Sequence, residues 1–346
     1  MTDVKAYAAF DPKKPLGPFK ISRRDTNSKD VSIEIKYCGV CHSDIHQARD
    51  EWGGAIFPMV PGHEIVGLVS SVGSKVTKFK KGDKVGVGCL VNSCRDCSAC
   101  REGLEQFCEK GMVGTYNSRD KDGTVTYGGY STQITVNEDF VLRIPQSMPL
   151  DGAAPLLCAG ITTYSPLKHW GAGPGKKVAI VGLGGLGHMG VKIAHALGAH
   201  VTVLSHSSKK QEDAKRLGAD EFYSTADEAV FTTLGNTFDL IINTVSVKLD
   251  LNKYLGLLKR DSHMVLLGVP ESPPELSAGS LIHNRRSLAG SLIGGLPETQ
   301  EMLDFCGNHG ITSDIETIRM DQINEAFDRM IKGDVRYRFV IDAKTI

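Results

Sequence analysis

Two textures of hydrophobic patterning divide the chain. Up to about residue 155, short runs alternate apolar and polar positions, at 31–37, 65–72, 84–89, 131–136 and 140–144. A period of two predicts strands with one buried face. Turn signals separate them at Gly73-Ser74, Lys81-Gly82-Asp83, Asp122-Gly123 and Gly128-Gly129, so this part reads as an irregular, mostly β domain. From about Ala154 the runs lengthen. Strands are predicted at 177–181, 201–204, 221–223, 240–243, 264–267 and 288–293, with helical periodicity at 188–197 and 209–217 between them. Near-continuous apolar strands alternating with helices indicate a parallel sheet covered on both faces, and six strands make a complete doubly wound dinucleotide-binding sheet. Beyond it, 298–309 and 322–332 read as helices, and 335–341 as a strand returning to the first domain. The fold class is α/β, and 346 residues suit about two domains.

Composition narrows the field. Forty basic and forty acidic residues balance, so no electrostatic footprint points to nucleic acid or a membrane surface. The longest apolar runs fall short of the roughly 18 residues that span a bilayer, and the N-terminus lacks a basic-then-apolar signal. A cytoplasmic protein is expected. Nine cysteines are many for that compartment unless most bind metal, because disulfides are rare there.

Three stretches carry candidate chemistry. Cys38-Gly39-Val40-Cys41-His42-Ser43-Asp44-Ile45-His46 follows a predicted strand and packs two thiols, two imidazoles, a hydroxyl and a carboxylate into nine residues; buried thiols and surface histidines are the bland alternative. Cys94, Cys97, Cys100 and Cys108 follow a Cys-x2-Cys-x2-Cys-x7-Cys spacing. Four thiolates at that spacing can close a tetrahedron around a structural zinc. An iron–sulfur cluster and two disulfides compete; the ferredoxin spacing differs, and disulfides suit the compartment poorly. Gly182-Leu183-Gly184-Gly185-Leu186-Gly187 is a Gly-x-Gly-x-x-Gly between a predicted strand and a helix, where the glycines permit a tight turn, approach of a pyrophosphate and close helix–strand packing.

At the end of the next strand, an NAD-preferring site has an acidic residue that grips the ribose 2′-hydroxyl. Here the run is Ser205-His206-Ser207-Ser208-Lys209-Lys210, with no acid before Glu212. Hydroxyls and lysines suit a 2′-phosphate and predict NADP, although the serines can also cap the following helix. Cys41, His63 and Cys158 form a possible Cys/His/Cys set with an open fourth position for a catalytic zinc. The three lie far apart in sequence, and spacing alone does not bring them together.

The chain resembles the zinc-dependent medium-chain alcohol dehydrogenases, specifically the cinnamyl-alcohol-dehydrogenase-like aldehyde reductases. The nine-residue cluster, Val60-Pro-Gly-His-Glu-Ile-Val-Gly67, the four-cysteine loop and Ala154-Pro-Leu-Leu-Cys-Ala-Gly-Ile-Thr-Thr-Tyr-Ser-Pro-Leu167 carry the resemblance. So do the glycine motif, Gly290-Ser-Leu-Ile-Gly-Gly295, the run from Glu298 to Cys306 and Asp334-Val-Arg-Tyr-Arg-Phe-Val-Ile-Asp342. The motifs run in order from residue 38 to 342. The resemblance implies a GroES-like, mostly β catalytic domain (1–157 and 296–346) and a Rossmann NADP-binding domain (158–295). It implies two zinc ions: a catalytic one on Cys41, His63 and Cys158, with Glu64 able to enter, and a structural one on the four cysteines. Asp44 would accept the free imidazole N–H of His63. The alkoxide formed on reduction would be protonated along a relay of Ser43, the cofactor ribose and His46, with His46 as the terminal donor; the alternative for His46 is simple solvent exposure.

The same resemblance places Ser43, Thr162, Gly182 to Gly187, Ser205, His206, Ser207, Lys210, Thr244, Gly268, Ser291, Leu292 and Ile293 along NADP(H). Plant members often have serine where His206 stands. They also carry large aromatics where this chain has Gly114 and Leu292, so Trp52 and Phe57 are the remaining expected pocket walls. The expected activity is hydride transfer between NADPH and a broad range of aldehydes, giving primary alcohols. The expected state is a homodimer paired near the last strand of the cofactor sheet. A zinc-free quinone reductase would lack the ligands, a non-catalytic NADP-binding protein would have lost one, and a zinc-ribbon nucleic-acid binder would carry a basic stripe. None of these three fits.

Overall fold

The strand Asp30–Gly39 is the hub of the first part of the protein. In the computed structural model, which describes residues 1–270 and 272–346, it lies within a seven-stranded sheet. On one side it pairs antiparallel with Ile65–Val72, which in turn pairs with Lys84–Val87. On the other, its first half pairs with Gln133–Asn137 and its last three residues with Arg338–Asp342. Val31, Ile33, Ile65, Val85, Val87, Phe339 and Ile341 are fully buried, which is why the alternating pattern was visible.

Two expected strands end early for local reasons. The run at 84–89 stops at Val87, and Leu90–Asn92 forms a separate pair with Val113–Gly114. The run at 140–144 shrinks to Leu142–Arg143, because the Asn137 side chain accepts from Asp139 N and caps a turn of 3-10 helix, Glu138–Phe140.

The chain divides into two units, Met1–Cys158 with Gly294–Ile346, and Ala159–Ile293. The expected limits fell at 157/158 and 295/296; the division seats Cys158 with the first unit. The terminal strand, expected at 335–341, is Arg338–Asp342, and its antiparallel register sets Val340 opposite Gly39.

The second unit is a six-stranded parallel sheet. Its spatial order is Glu221–Ser224, His200–Ser205, Lys177–Val181, Phe238–Asn243, Leu258–Leu266 and Ser287–Gly290. In chain order that is 3-2-1-4-5-6, the doubly wound arrangement. Phe238, Ile241, Leu255, Leu257 and Met264 fill one side of its core with no exposed surface. The last strand ends at Gly290, short of the expected 293; Ile293 takes φ 39°, outside the extended region. Ser291, Leu292 and Ile293 therefore sit on a loop.

Candidate metal centres and cofactor loop

Strand register explains how three of the first centre's four donor residues meet. Cys38 lies opposite Ile65, and Gly39 N donates to Glu64 O at 3.0 Å. His63 and Glu64, which precede that strand, therefore lie beside the end of the hub strand. Across the other edge Val40 N donates to Phe339 O at 2.9 Å, which brings in Arg338. The fourth donor arrives on the 3-10 turn Ala154–Leu157. The Cys89 thiol lies 3.7 Å from Leu157 O, just beyond the end of the neighbouring strand. One ligand atom each from Cys41, His63, Glu64 and Cys158 lies within 4.8 Å of all the others, and all four residues are buried. The spacing argument did not unite these residues; the sheet does.

Cys41 begins the short helix His42–Ala48, and Asp44 is its third residue in a capping box. The Asp44 carboxylate accepts from Cys41 N at 2.9 Å and from Gly62 N at 3.2 Å. It stands 3.3 Å from His63 Nδ1, which directs the other ring nitrogen of His63 toward the thiols. Cys41 Sγ and Cys158 Sγ are 4.0 Å apart. Two sulfurs about 2.3 Å from one tetrahedral zinc stand roughly 3.8 Å apart, whereas a disulfide needs about 2 Å. Hydrogen bonding with Cys158, aided by His63 and Arg338, pulls the Cys41 thiol well below its ordinary pKa; the proton shared between them leaves Cys158 raised.

Glu64 and Arg338 form a buried ion pair. Burial raises the Glu64 carboxyl to about 7, but a guanidinium in direct contact keeps the pair ionised. Burial works against the charge of Arg338 too, and Glu64, Cys41 and Cys158 outweigh it, raising its pKa. Glu64 Oε2 is buried without a hydrogen-bond partner. A set of two thiols, an imidazole and an unsatisfied carboxylate oxygen fits zinc. Gly39 belongs to this arrangement, because a β-carbon there would fall inside the Glu64 carboxylate.

The second centre gathers Cys94, Cys97, Cys100 and Cys108, again within 4.8 Å of one another and half-buried to buried. Cys94 Sγ and Cys100 Sγ are 3.8 Å apart. Backbone N–H groups of Asp96 and Cys97 donate to Cys94 Sγ at 3.4 and 3.3 Å, and these bonds pull its thiol down to about 6. Glu109 N donates to Cys97 Sγ at 3.5 Å. Four sulfurs with amide donors aimed at them fit a closed zinc site. All nine cysteines are free thiols, against the disulfide alternative.

Ser43 Oγ lies 3.6 Å from Cys41 Sγ. His46, one helical turn on, is half-buried; it pairs with Glu51 and stacks on Trp52 at 5.0 Å between ring centres. Simple solvent exposure does not describe it. Glu51 and Arg338 were missed by sequence reading. An arginine opening the apolar run from Phe339 to Ile341 was a usable signal for the second; Glu51 had none. Trp52 is 52% exposed and Phe57 half-buried. Asn117 ties the segments before Trp52 and before Phe57, accepting from Ile56 N and donating to Gln47 Oε1, both at 2.8 Å. A β-carbon on Gly114 would lie 3.1 Å from Tyr116 O.

In the second unit the glycine motif joins the strand Lys177–Val181 to the helix Gly187–Ala196. Gly182 has φ 88°, Gly184 faces open space, and Gly187 packs on the backbone of Gly182, the three roles the motif requires. Thr244 Oγ1 donates to Val181 O at 2.8 Å at the switch between the two central strands. Gly268 packs on the backbone of Val245, and Thr162 lies buried in the helix Ala159–His169. Ser205 is buried at its strand end, His206 is exposed, and Ser207 Oγ accepts from Lys209 N at 3.3 Å. Capping by Ser207 is therefore real, and it leaves the hydroxyl hydrogen available. Lys210 Nζ donates to Leu183 O at 2.7 Å, which ties this cation to the glycine loop. Leu292 is exposed and Ile293 buried.

Residues 27–146 match the alcohol dehydrogenase GroES-like domain family, and residues 185–308 the zinc-binding dehydrogenase family. The NADP-dependent alcohol dehydrogenase C 1 of Mycolicibacterium smegmatis is 60% identical, over 100% of this chain and 99% of that protein. The aldehyde reductase YahK of Escherichia coli is 56% identical, over 99% of each. The structure of a cinnamyl alcohol dehydrogenase from Sorghum bicolor superposes with a TM-score of 0.96 at 48% identity, covering 99% of this chain and 98% of that one. The chain belongs to the zinc-binding alcohol dehydrogenase family. Its two-unit, GroES-like and Rossmann-type fold is that family's.

Proposed function

We propose that this protein is an NADP-dependent, zinc-dependent alcohol dehydrogenase and aldehyde reductase of broad range, interconverting aldehydes and primary alcohols. The observation that carries this reading is the buried set of Cys41, His63, Glu64 and Cys158. Zinc bound there supplies a Lewis acid for the substrate oxygen, as NADPH supplies the hydride.

The chain's own residues do the rest. Cys41, His63 and Cys158 hold the metal, and Asp44 fixes the His63 tautomer. Arg338 keeps Glu64 charged and anchored beside the thiols, within reach of the metal. Ser43 gives a proton to the nascent alcohol, and His46 replenishes it from the solvent side, held by Glu51 and Trp52. Cys94, Cys97, Cys100 and Cys108 hold the structural zinc.

Gly182 to Gly187 cradle the pyrophosphate, with Leu183 and Leu186 as spacers, and Ser205, Ser207 and Lys210 select the 2′-phosphate. His206, being exposed, adds little to that selection. Trp52, Phe57 and the small Gly114 leave the substrate face of the first unit only partly walled, which favours varied aldehydes. Homodimerisation through the edge strand Ser287–Gly290 is the expected assembly, and sedimentation at micromolar concentration tests it. Cysteines assigned to metal or left unpaired, with none in a disulfide, suit a reducing cytoplasm. Among the described residues no helix is long and apolar enough to cross a membrane.

The test is NADPH consumption with benzaldehyde before and after zinc removal. Turnover that survives loss of both metals contradicts the reading. Equal efficiency with NADH contradicts the cofactor choice.

A further inference from the structure

We propose that Tyr130 is a positioning residue which, through Asp44, fixes the His63 imidazole for metal binding. The inference rests on the assignment of His63 as a ligand made above.

Asp44 is fully buried, and a carboxylate offers about four acceptor sites. All four are used. Oδ2 accepts from Cys41 N at 2.9 Å and from the Tyr130 hydroxyl at 3.1 Å. Oδ1 accepts from Gly62 N at 3.2 Å and faces His63 Nδ1 at 3.3 Å. Three of these donors belong to the segments that carry the ligands Cys41 and His63. The fourth, Tyr130, comes from a third segment, and its hydroxyl braces the carboxylate from there.

The placement of that hydroxyl is rigid. Gly128 N donates to Val60 O at 2.8 Å, Gly129 N to Gly62 O at 2.8 Å and Tyr130 N to Pro61 O at 2.9 Å, while Tyr7 N donates to Tyr130 O at 2.9 Å. The ring packs on the turn that presents His63: a β-carbon on Gly62, whose φ is 102°, would lie 2.7 Å from Tyr130 Cδ1 and 2.8 Å from Cys38 Sγ. A β-carbon on Gly129 would lie 2.7 Å from the same sulfur. Cys38 therefore fills the space between two glycines, and Tyr130 closes the pocket over Asp44. Tyr130 is fully buried, and burial together with Asp44 pushes its phenol well above the ordinary value, so it stays a donor. On the far side Tyr116 stacks on the His63 ring at 5.8 Å with planes 15° apart. The imidazole is thus held in its plane by Tyr116 and about its axis by Asp44. Losing a hydrogen-bond partner of this kind weakens metal affinity by about 10-fold or more.

The experiment uses the full-length, zinc-loaded protein and a chromophoric chelator in competition for both zinc ions. Tyr130→Phe keeps the ring and removes only the hydroxyl. The expected result is about 10-fold weaker zinc at one site, with the four-cysteine site unchanged as an internal measure of folding. Added to Asp44→Asn, the same substitution should weaken binding no further, because its effect passes through Asp44. Cobalt in place of zinc gives a second readout, a shifted visible spectrum in Tyr130→Phe. Unchanged affinity and spectrum overturn the proposal, as does equal weakening of both sites, which would mark general loosening. A wild-type protein that holds a single zinc overturns the assignment of His63 and this inference together; wild-type protein with two and an unchanged Tyr130→Phe overturns this inference alone.

Discussion

The two sulfur-rich centres solve one coordination problem in opposite ways. The four-cysteine centre comes from fifteen consecutive residues, Cys94 to Cys108, and its sulfurs receive backbone amides of its own loop. The other takes Cys41 and Cys158, 117 residues apart, and unites them only because strand ends converge beneath them. Its support comes from side chains: Asp44 on the helix that Cys41 begins, and Arg338 and Tyr130 from distant segments. A loop that satisfies its metal with four thiolates leaves no position for substrate, so its effect is on stability. A buried set of two thiols and an imidazole, whose fourth donor is a carboxylate already paired with an arginine, has a position that a substrate oxygen can take. Contiguity goes with structure, and assembly goes with chemistry.

The largest expected contrast comes from removing one sulfur in each centre. Cys41→Ala should lower kcat/KM for benzaldehyde by about 10³-fold or more, since Lewis-acid stabilisation is worth several kcal/mol, with the urea midpoint little changed. Cys97→Ala should do the reverse, destabilising the fold by more than about 4 kcal/mol by losing its metal. Activity and urea unfolding, measured on both variants, break the comparison if the two effects exchange places.

The proton path is the next test of the assembled centre. His46→Gln should lower kcat by about 10²-fold, and no counterpart in the four-cysteine loop should alter turnover. Steady-state aldehyde reduction in ordinary and in heavy water checks it, because the relay proton exchanges with solvent; a kcat near wild type removes His46 from the mechanism.

A smaller effect is expected in the second unit. Lys210→Ala removes a cation that the glycine loop holds in place, and should raise KM for NADPH about 10- to 100-fold, by the value of a charge-assisted hydrogen bond, while leaving NADH unaffected. Parallel loss with both cofactors would mean that Lys210 supports the loop and does not choose the phosphate. The smallest change is Glu51→Gln, which keeps a hydrogen bond to His46 and removes the charge; about a threefold fall in kcat is expected, within the range of an exposed ion pair.

Legibility in the sequence followed the same division. The four-cysteine spacing and the glycine motif are local, so their residues predicted their own neighbours, and the six parallel strands showed themselves through unbroken apolar runs. The set of Cys41, His63 and Cys158 was not readable from spacing, because the register of Asp30–Gly39 against its partners is what brings most of it together; the donor types offered it as one possible set, and the family resemblance singled it out. Tyr130 lay hidden beside a glycine turn, where a polar tip leaves no periodic mark, whereas Arg338 left a signal as the arginine that opens the apolar run from Phe339 to Ile341. Gly39, which carried no role in the sequence, proves to be a space kept for Glu64.

The central claim is that the buried, assembled set holds the metal at which the chemistry occurs. Anomalous diffraction from crystals at the zinc absorption edge tests it directly. Two peaks per chain are expected, one among Cys94, Cys97, Cys100 and Cys108 and one among Cys41, His63 and Cys158. A single peak in the four-cysteine loop, from protein that still reduces benzaldehyde with NADPH, would contradict it.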